Sequence, residues 1–337
     1  MVATEGGQVN KAQRRRFLLA LSALLATPLV SFAQQQPQTV RRIGWLDTLD
    51  AANEPHDTLT RSLEELGHKQ GRTFSMILRH AEYRLERLPE LARLLVAERP
   101  DVIVAFGDPA IAASRAATGT IPIVMIQSVD AVKAGHVQSL ARPGGNVTGL
   151  SNLAAPLAAV QVGLLKEAIP RLARLTVLKY PVPHLDDLIL PEIRAAARAA
   201  GVSITVRDVR DRKDMELAFE ALKRERAQAV LVLIGGVLDV PATMRAAQLG
   251  LKYQLPVASD SVRLTYEGGL LSYNARFSAQ IQRAAFYVDR ILKGSRPADL
   301  PVEQPREFDL VVNAEVAKKL KISLPPTLLV RATKVIE

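Results

Sequence analysis

A chain of 337 residues is long enough to bury two cores of ordinary domain size, and its composition, 48% hydrophobic and 23% charged, excludes a disordered or low-complexity protein. The formal charge of +10 is dispersed among acidic neighbours, as in ARLLVAERPD and LKRERAQ, and aromatics make up only 4%, so neither a basic stripe nor a stacking platform points to nucleic acid. Cysteine is absent, which excludes disulfides and thiolate catalysis and, in an exported chain, a lipid anchor on cysteine.

The chain opens on QRRRFLLALSALLATPLVSFAQQQ, Gln13 to Gln36, with a cationic start, an apolar run from Phe17 to Leu25, a break at Pro28 and Ser31-Phe32-Ala33 before a polar run. Residues 1–33 therefore read as a signal peptide cleaved after Ala33, since the apolar run is too short to span a bilayer. Arg14-Arg15-Arg16-Phe17-Leu18 is similar to a twin-arginine export signal, with Gln13 where that signal has Ser or Thr, so the Tat and Sec routes both stay open. Lys11, the three arginines and Glu5 contribute +3, which leaves +7 on the mature chain. The expected location is the periplasm, free of the membrane.

From Val40 the pattern alternates between strand and helix. VRRIGWLD reads as the first strand; Thr58 to Leu66 reads as a helix ended by Gly67, with Leu59, Leu63 and Leu66 on one face. TFSMILRHA, DVIVAFG and IPIVMIQ follow as strands, with LERLPELARLLVAER and PAIAASRAAT as the helices between them. Continuous apolar runs such as VIVAF and IPIVMI suit parallel strands covered on both faces. The pattern restarts with a helix from Pro156 to Ala168, then RLTVLKY, PEIRAAARAAG, SITVRDV, MELAFEALKRER, AVLVLIGG, ATMRAAQLGLKYQ and LPVASD in alternation. GGLLSYNAR, a helix from Ser278 to Leu292, PVEQPREFDLVVN and a short helix through Leu320 complete the chain. The predicted class is α/β, with two doubly wound Rossmann-like lobes.

Between the two halves stands SLARPGGNVTGLS, Ser139 to Ser151. Gly144-Gly145-Asn146 leads into VTGLS, a strand candidate, whereas a phosphate cradle needs its glycines to enter a helix N-terminus. The stretch reads as a turn followed by a crossing between lobes. Ligands of open α/β sheets bind beyond the carboxyl ends of the strands. That rule nominates Asp47 and Thr48; Gly107, Asp108 and Pro109; Gln127, Ser128 and Asp130; Lys179 and Tyr180; Gly235 and Gly236; and Ser259 and Asp260. Residues of these types are more often turn or helix-cap residues than ligand contacts.

No catalytic constellation is complete. GxSxG and GxxxxGK[ST] are absent, the five histidines (His56, His68, His80, His136, His184) lack metal-ligand spacing, and GGVLD at Gly235 lacks the third glycine of a dinucleotide fingerprint. Neither a cofactor nor a metal is expected.

SLARPGGNVTGLS, with RSLEELG, YRLERLPELARLLV, TIPIVMI, GGLLSYN, AAFYVDRILKGSRPADLPVEQP and the closing LPPTLLVRATKVIE, resembles the ABC-transporter substrate-binding proteins of the tryptophan- and tyrosine-uptake type, from Arg41 to the C-terminus. The resemblance implies a type I periplasmic-binding-protein fold with three interlobe crossings. It places residues 41–150 plus about 272–300 in the N-terminal lobe and residues 151–271 plus about 301–337 in the C-terminal lobe. It further implies a small polar ligand, an amino acid or related compound, held in the cleft of a monomer and delivered to an inner-membrane ABC permease without catalysis. A receptor for a membrane sensor kinase, and a periplasmic hydrolase on the same scaffold, are the alternatives.

The cleft departs from the family pattern. Gly107-Asp108-Pro109 stands where members have Gly-Thr-Pro, Val129-Asp130-Ala131-Val132-Lys133-Ala134-Gly135 where they have Gly-Asp-Pro-Val-Gly-Ser-Gly, and Lys179-Tyr180-Pro181 where an aromatic and Asn-Pro are common. An aspartate at a helix N-terminus occupies the site a ligand carboxylate would use. Asp108 is therefore expected either to disfavour an aromatic amino acid in the family's usual pose, in favour of a cationic, zwitterionic or neutral polar ligand, or simply to cap its helix. Lys133 and Lys179 are expected to pair with a ligand anion or with acids across the cleft, or to lie on the surface. Tyr180 is the candidate for stacking on a ligand, and Tyr273 for a crossover strand.

Overall fold

The computed structural model describes residues 40–50, 55–152, 154–181, 185–233 and 240–337; the signal peptide expected in residues 1–33 and the glycines Gly235 and Gly236 lie outside them. Its first half builds β1 (Arg41–Asp47), α1 (Pro55–Glu65), β2 (Phe74–His80), α2 (Leu88–Ala97), β3 (Val102–Phe106), α3 (Asp108–Ala117), β4 (Ile123–Ser128) and β5 (Val147–Ser151). These strands form a parallel sheet in the order β2-β1-β3-β4-β5. All five residues of β3 are buried because helices cover both faces, which is why VIVAF shows no polar alternation. One face carries Trp45, Leu59, Leu63 and Phe74, and the other Leu46, Leu88, Leu95 and Ile111. Helix α1 begins at Pro55, whose missing N–H costs nothing in a first turn. It ends on Gly67 at φ +94°, where the N–H groups of Gly67 and His68 return to the carbonyls of Glu64 and Leu63.

The second half builds α4 (Ala154–Ala168), β6 (Arg174–Lys179), α5 (Leu185–Ala199), β7 (Ser203–Asp208), α6 (Arg212–Arg224), β8 (Ala229–Leu233), α7 (Val240–Tyr253), β9 (Val257–Ser259), α8 (Val262–Tyr266) and β10 (Leu271–Ala275). After α9 (Phe277–Leu292) come β11 (Phe308–Asn313), α10 (Ala314–Lys319), α11 (Pro326–Arg331) and β12 (Lys334–Ile336). The sheet order is β12-β11-β10-β9-β8-β6-β7, with β10 and β11 antiparallel. The sequence places the helix after β6 at Pro191; it starts six residues earlier, with Asp186 and Asp187 in its first turn. Asp186 is anchored by Lys179 at 2.7 Å, and acids are favoured at that end of a helix dipole.

The chain passes between the sheets at three places: from Ser151 to Ala154, from Ala275 to Phe277, and from Glu303 to Phe308. Two expected boundaries shift. Strand β10 hydrogen-bonds β9 and β11 of the second sheet, so the return to the first lobe, expected at about 272, begins only with α9, whose Ile281, Ala285 and Val288 pack in the first core. Val302 also belongs to a first-lobe core and Glu303 bridges to Leu150, so the last crossing follows residue 303 rather than residue 300.

The PGGN stretch serves as the turn into β5. Within that strand Gly149 has φ +125°, and a Cβ on it would lie 2.3 Å from the Met125 carbonyl oxygen. Gly149→Ala is expected to destabilise the protein by about 3 kcal/mol, lowering its melting temperature by several degrees. Gly145→Ala, with nothing within 4 Å of the new methyl, should leave it unchanged, and thermal unfolding of the two variants checks the contrast.

Candidate functional site

The carboxyl ends of the parallel strands β4, β8 and β9 border the interlobe gap, and most of the acids placed at strand ends are occupied within their own lobe. Asp47 is fully buried. Its Oδ2 accepts from Trp45 Nε1 at 2.5 Å, its Oδ1 from the Leu49 N–H at 3.1 Å, and His80 Nδ1 lies 3.0 Å from Oδ1. That hydrogen bond holds the His80 imidazole above its ordinary range, against the opposing effect of burial. Thr48 is buried next to it, its carbonyl accepting from the Tyr83 N–H at 2.7 Å.

Asp108 neither caps its helix nor projects freely. The cap of α3 is Gly107, at φ +83° and with no side-chain cap bond, and Asp108 is the first helical residue, followed by Pro109. Its Oδ2 accepts from the Val129 N–H at 2.9 Å, and its Oδ1 lies 2.9 Å from His136 Nε2. The carboxylate thus pins the loop after β4 and is hydrogen-bonded to a histidine. Asp130 caps the following turn, its Oδ1 accepting from the N–H groups of Val132 and Lys133, and Lys133 is an exposed lysine 3.7 Å from Asp130 Oδ2.

In the second lobe Lys179 is neither a surface lysine nor a partner for acids across the cleft. Its side chain is buried and its Nζ sits 2.7 Å from Asp186 and 2.6 Å from Asp208, both of its own lobe. Burial works against the charge, but the two carboxylates outweigh it and raise the lysine's pKa. Tyr180 packs against the second-lobe core with Phe219 and Met215, and Tyr273 lies on β10, stacked on Phe308. Ser259 is buried, its Oγ accepting from the Ser261 N–H at 3.0 Å.

Of the residues nominated from the sequence, Gln127 and Asp260 line the small interlobe cavity, of about 40 Å³, together with Val129, Asn152, Asn274 and, from the helices, Leu157, Gln161 and Ile189. Gln127 is held at φ +62°, a conformation that costs a non-glycine residue free energy and marks a constrained site. Its Oε1 accepts from Asn152 Nδ2 at 2.7 Å. Gln161 Nε2 donates to the Tyr273 carbonyl at 2.7 Å, and Asn274 Nδ2 to the Asp260 carbonyl at 2.8 Å. With their amide nitrogens committed, Asn152 Oδ1 and Gln161 Oε1 are left buried without a partner. The next polar neighbour, Ser128 Oγ, is also buried and unpartnered.

Buried polar atoms without partners are rare and each asks for an explanation. Asn152, Gln161 and Asp260 supply the cavity lining with two unpartnered amide oxygens and a carboxylate, while Val129, Leu157, Ile189 and Leu233 give it an apolar wall. Asn152 and Gln161 escaped the sequence reading because one lies on a crossing and the other inside a helix. The available signal was a glutamine on the buried side of LAAVQVGLL, four residues from Leu157 and four from Leu165.

The family of ABC transporter substrate binding proteins matches residues 48–336 of this chain. A tyrosine-binding protein of Clostridioides difficile is 23% identical over 261 residues, spanning 77% of this chain and 74% of the relative. Among solved structures, a conserved domain protein from Vibrio cholerae superposes with a TM-score of 0.81 at 26% identity, covering 88% of this chain and 99% of that one. An ABC domain from Streptococcus pneumonia in complex with L-Trp gives 0.80 at 24% identity, covering 88% and 100%.

The Asp47–His80 pair makes stability depend on pH. Folded protein binds the His80 proton more tightly than the unfolded chain does, so the contribution is complete below about pH 6.5 and is lost as pH rises through the folded value. The fall in melting temperature between pH 6 and pH 8 is expected to be smaller in His80→Gln than in the native protein, and equal slopes in the two would contradict the pairing.

Proposed function

We propose that this chain, which belongs to the ABC transporter substrate-binding protein family, binds a small ammonium-bearing molecule in its interlobe cleft and releases it unchanged to a permease. The observation that carries the ligand class is the pair of buried, unpartnered oxygens Asn152 Oδ1 and Gln161 Oε1 next to Asp260. An ammonium group has three donors and no acceptor, the complement of that set. A zwitterionic amino acid or a related amine fits, with its aliphatic part against Leu157, Ile189 and Leu233. The tyrosine-binding relative and the neighbour with bound L-Trp support the amino-acid class, since both of those ligands carry an α-ammonium. The aliphatic lining favours a ligand without an aromatic ring.

The cavity, at about 40 Å³, is far below the roughly 300 Å³ at which small-molecule sites begin, so entry requires the lobes to part. Three crossings supply a hinge, and a ligand that contacts both lobes biases it towards closure by its differential affinity for the closed form. We place the protein in the periplasm as a monomer after removal of a leader within residues 1–33; the basic, apolar and small-residue order of that segment supports export. No helix among the described residues is long and apolar enough to cross a membrane.

Calorimetric titration with amino acids and alkylamines tests the ligand class. Asn152→Leu and Gln161→Leu are each expected to weaken binding about tenfold to a hundredfold, the worth of a buried hydrogen bond to a charged group. Affinity unchanged in both variants, or binding only of molecules without a protonated nitrogen, would overturn the assignment.

A further inference from the structure

Helix α5 carries a proline, Pro191, in its interior, six residues after its start at Leu185. In an α-helix the N–H groups of Ile189 and Leu190 reach back to the carbonyls of Leu185 and Asp186, but Pro191 has no N–H for the Asp187 carbonyl and its ring crowds that carbonyl. Residues 185–190 are therefore only weakly continued by the helix behind them. The turn relies on partners outside the helix.

Lys179 is such a partner. It ends β6, stands in register with Asp208 of the edge strand β7, and places its Nζ 2.6 Å from Asp208 and 2.7 Å from Asp186. Asp186 is itself exposed, but the lysine side chain is only 4% exposed, so its charge has little water to replace a lost carboxylate, unlike the charge of a surface ion pair. One carboxylate belongs to the sheet and the other to the first turn of α5, so the ammonium passes the position of the sheet edge to that turn. Ile189, three residues on from Asp186, packs in the second-lobe core and lines the interlobe cavity with Leu157 and Leu233.

We infer that Lys179 is a positioning residue for the ligand: through Asp186 it sets residues 185–190, and with them Ile189, against the apolar part of the molecule in the cleft. The inference rests on the ligand class proposed above, a small amine whose aliphatic part lies against Leu157, Ile189 and Leu233. Asp208 lies on a strand and Asp186 on the helix, so the two carboxylates, alike in their distance from Lys179, differ in what their loss does to the cleft.

Two measurements on the full mature chain and its Asp186→Asn, Asp208→Asn and Lys179→Met variants test this. In the ligand-free proteins, amide hydrogen exchange at Ile189 and Leu190, taken relative to the core amides of β8, is expected to accelerate at least about fivefold in Asp186→Asn and Lys179→Met and to stay within about twofold of native in Asp208→Asn. In calorimetric titrations with n-alkylamines from ethylamine to pentylamine, affinity should rise about fourfold per methylene in the native protein and in Asp208→Asn, the worth of a methylene taken out of water, and about twofold or less in Asp186→Asn. Equal relative exchange at Ile189 and Leu190 in Asp186→Asn and Asp208→Asn, or a methylene increment undiminished in Asp186→Asn, would overturn the inference. A native protein that binds no alkylamine would overturn the ligand class instead, and the exchange contrast would still decide the role of Lys179.

Discussion

The hydrogen bond from Asn152 Nδ2 to Gln127 Oε1 ties the first crossing to the end of β4, and the placing of polar groups along the interlobe cavity depends on it. Asn152 begins the first crossing, and its N–H also holds the Ser128 carbonyl at 2.6 Å. Gln127, at the end of β4, is kept in a left-handed conformation that a non-glycine residue adopts only when its surroundings impose it. One of the two Asn152 Nδ2 hydrogens is thereby committed, and Asn152 Oδ1 is left without a protein partner.

A second constraint is the internal use of charge. Asp47, Asp108 and Lys179 stand at strand ends, where a ligand contact is expected, yet each is consumed by a neighbour: Trp45 and His80, Val129 and His136, Asp186 and Asp208. Leaving any of them buried and unpaired would be costly, and pairing them locks the strand ends in place. Each of these charges is thus satisfied within its own lobe. The same pairing lets one Asp108 carboxylate hold both His136 and the Val129 N–H.

The two lobes were legible in the sequence because VIVAF and IPIVMI can only be strands buried on both faces, and because strand and helix alternate through both halves. Helix α5 was legible only from Pro191 on, since a proline looks like a start; its true first turn depends on the ion pair of Asp186 with Lys179. In the site, Gln127 and Asp260 could be named because they stand at the carboxyl ends of strands, whereas Asn152 and Gln161 could not, since spacing does not separate a buried amide from a solvated one. Asp108 shows the limit most clearly. An aspartate before Pro109 suggests a cap or a contact, and the partner that decides its role, His136, lies 28 residues away in a loop.

A crystal structure of the protein with a bound amino acid or amine tests the central claim most directly. A ligand nitrogen within about 2.7–3.2 Å of both Asn152 Oδ1 and Gln161 Oε1, with the lobes closed over it, is the predicted result. A ligand that turns a carboxylate or an apolar group towards those two oxygens, or that binds outside the cleft, would contradict it.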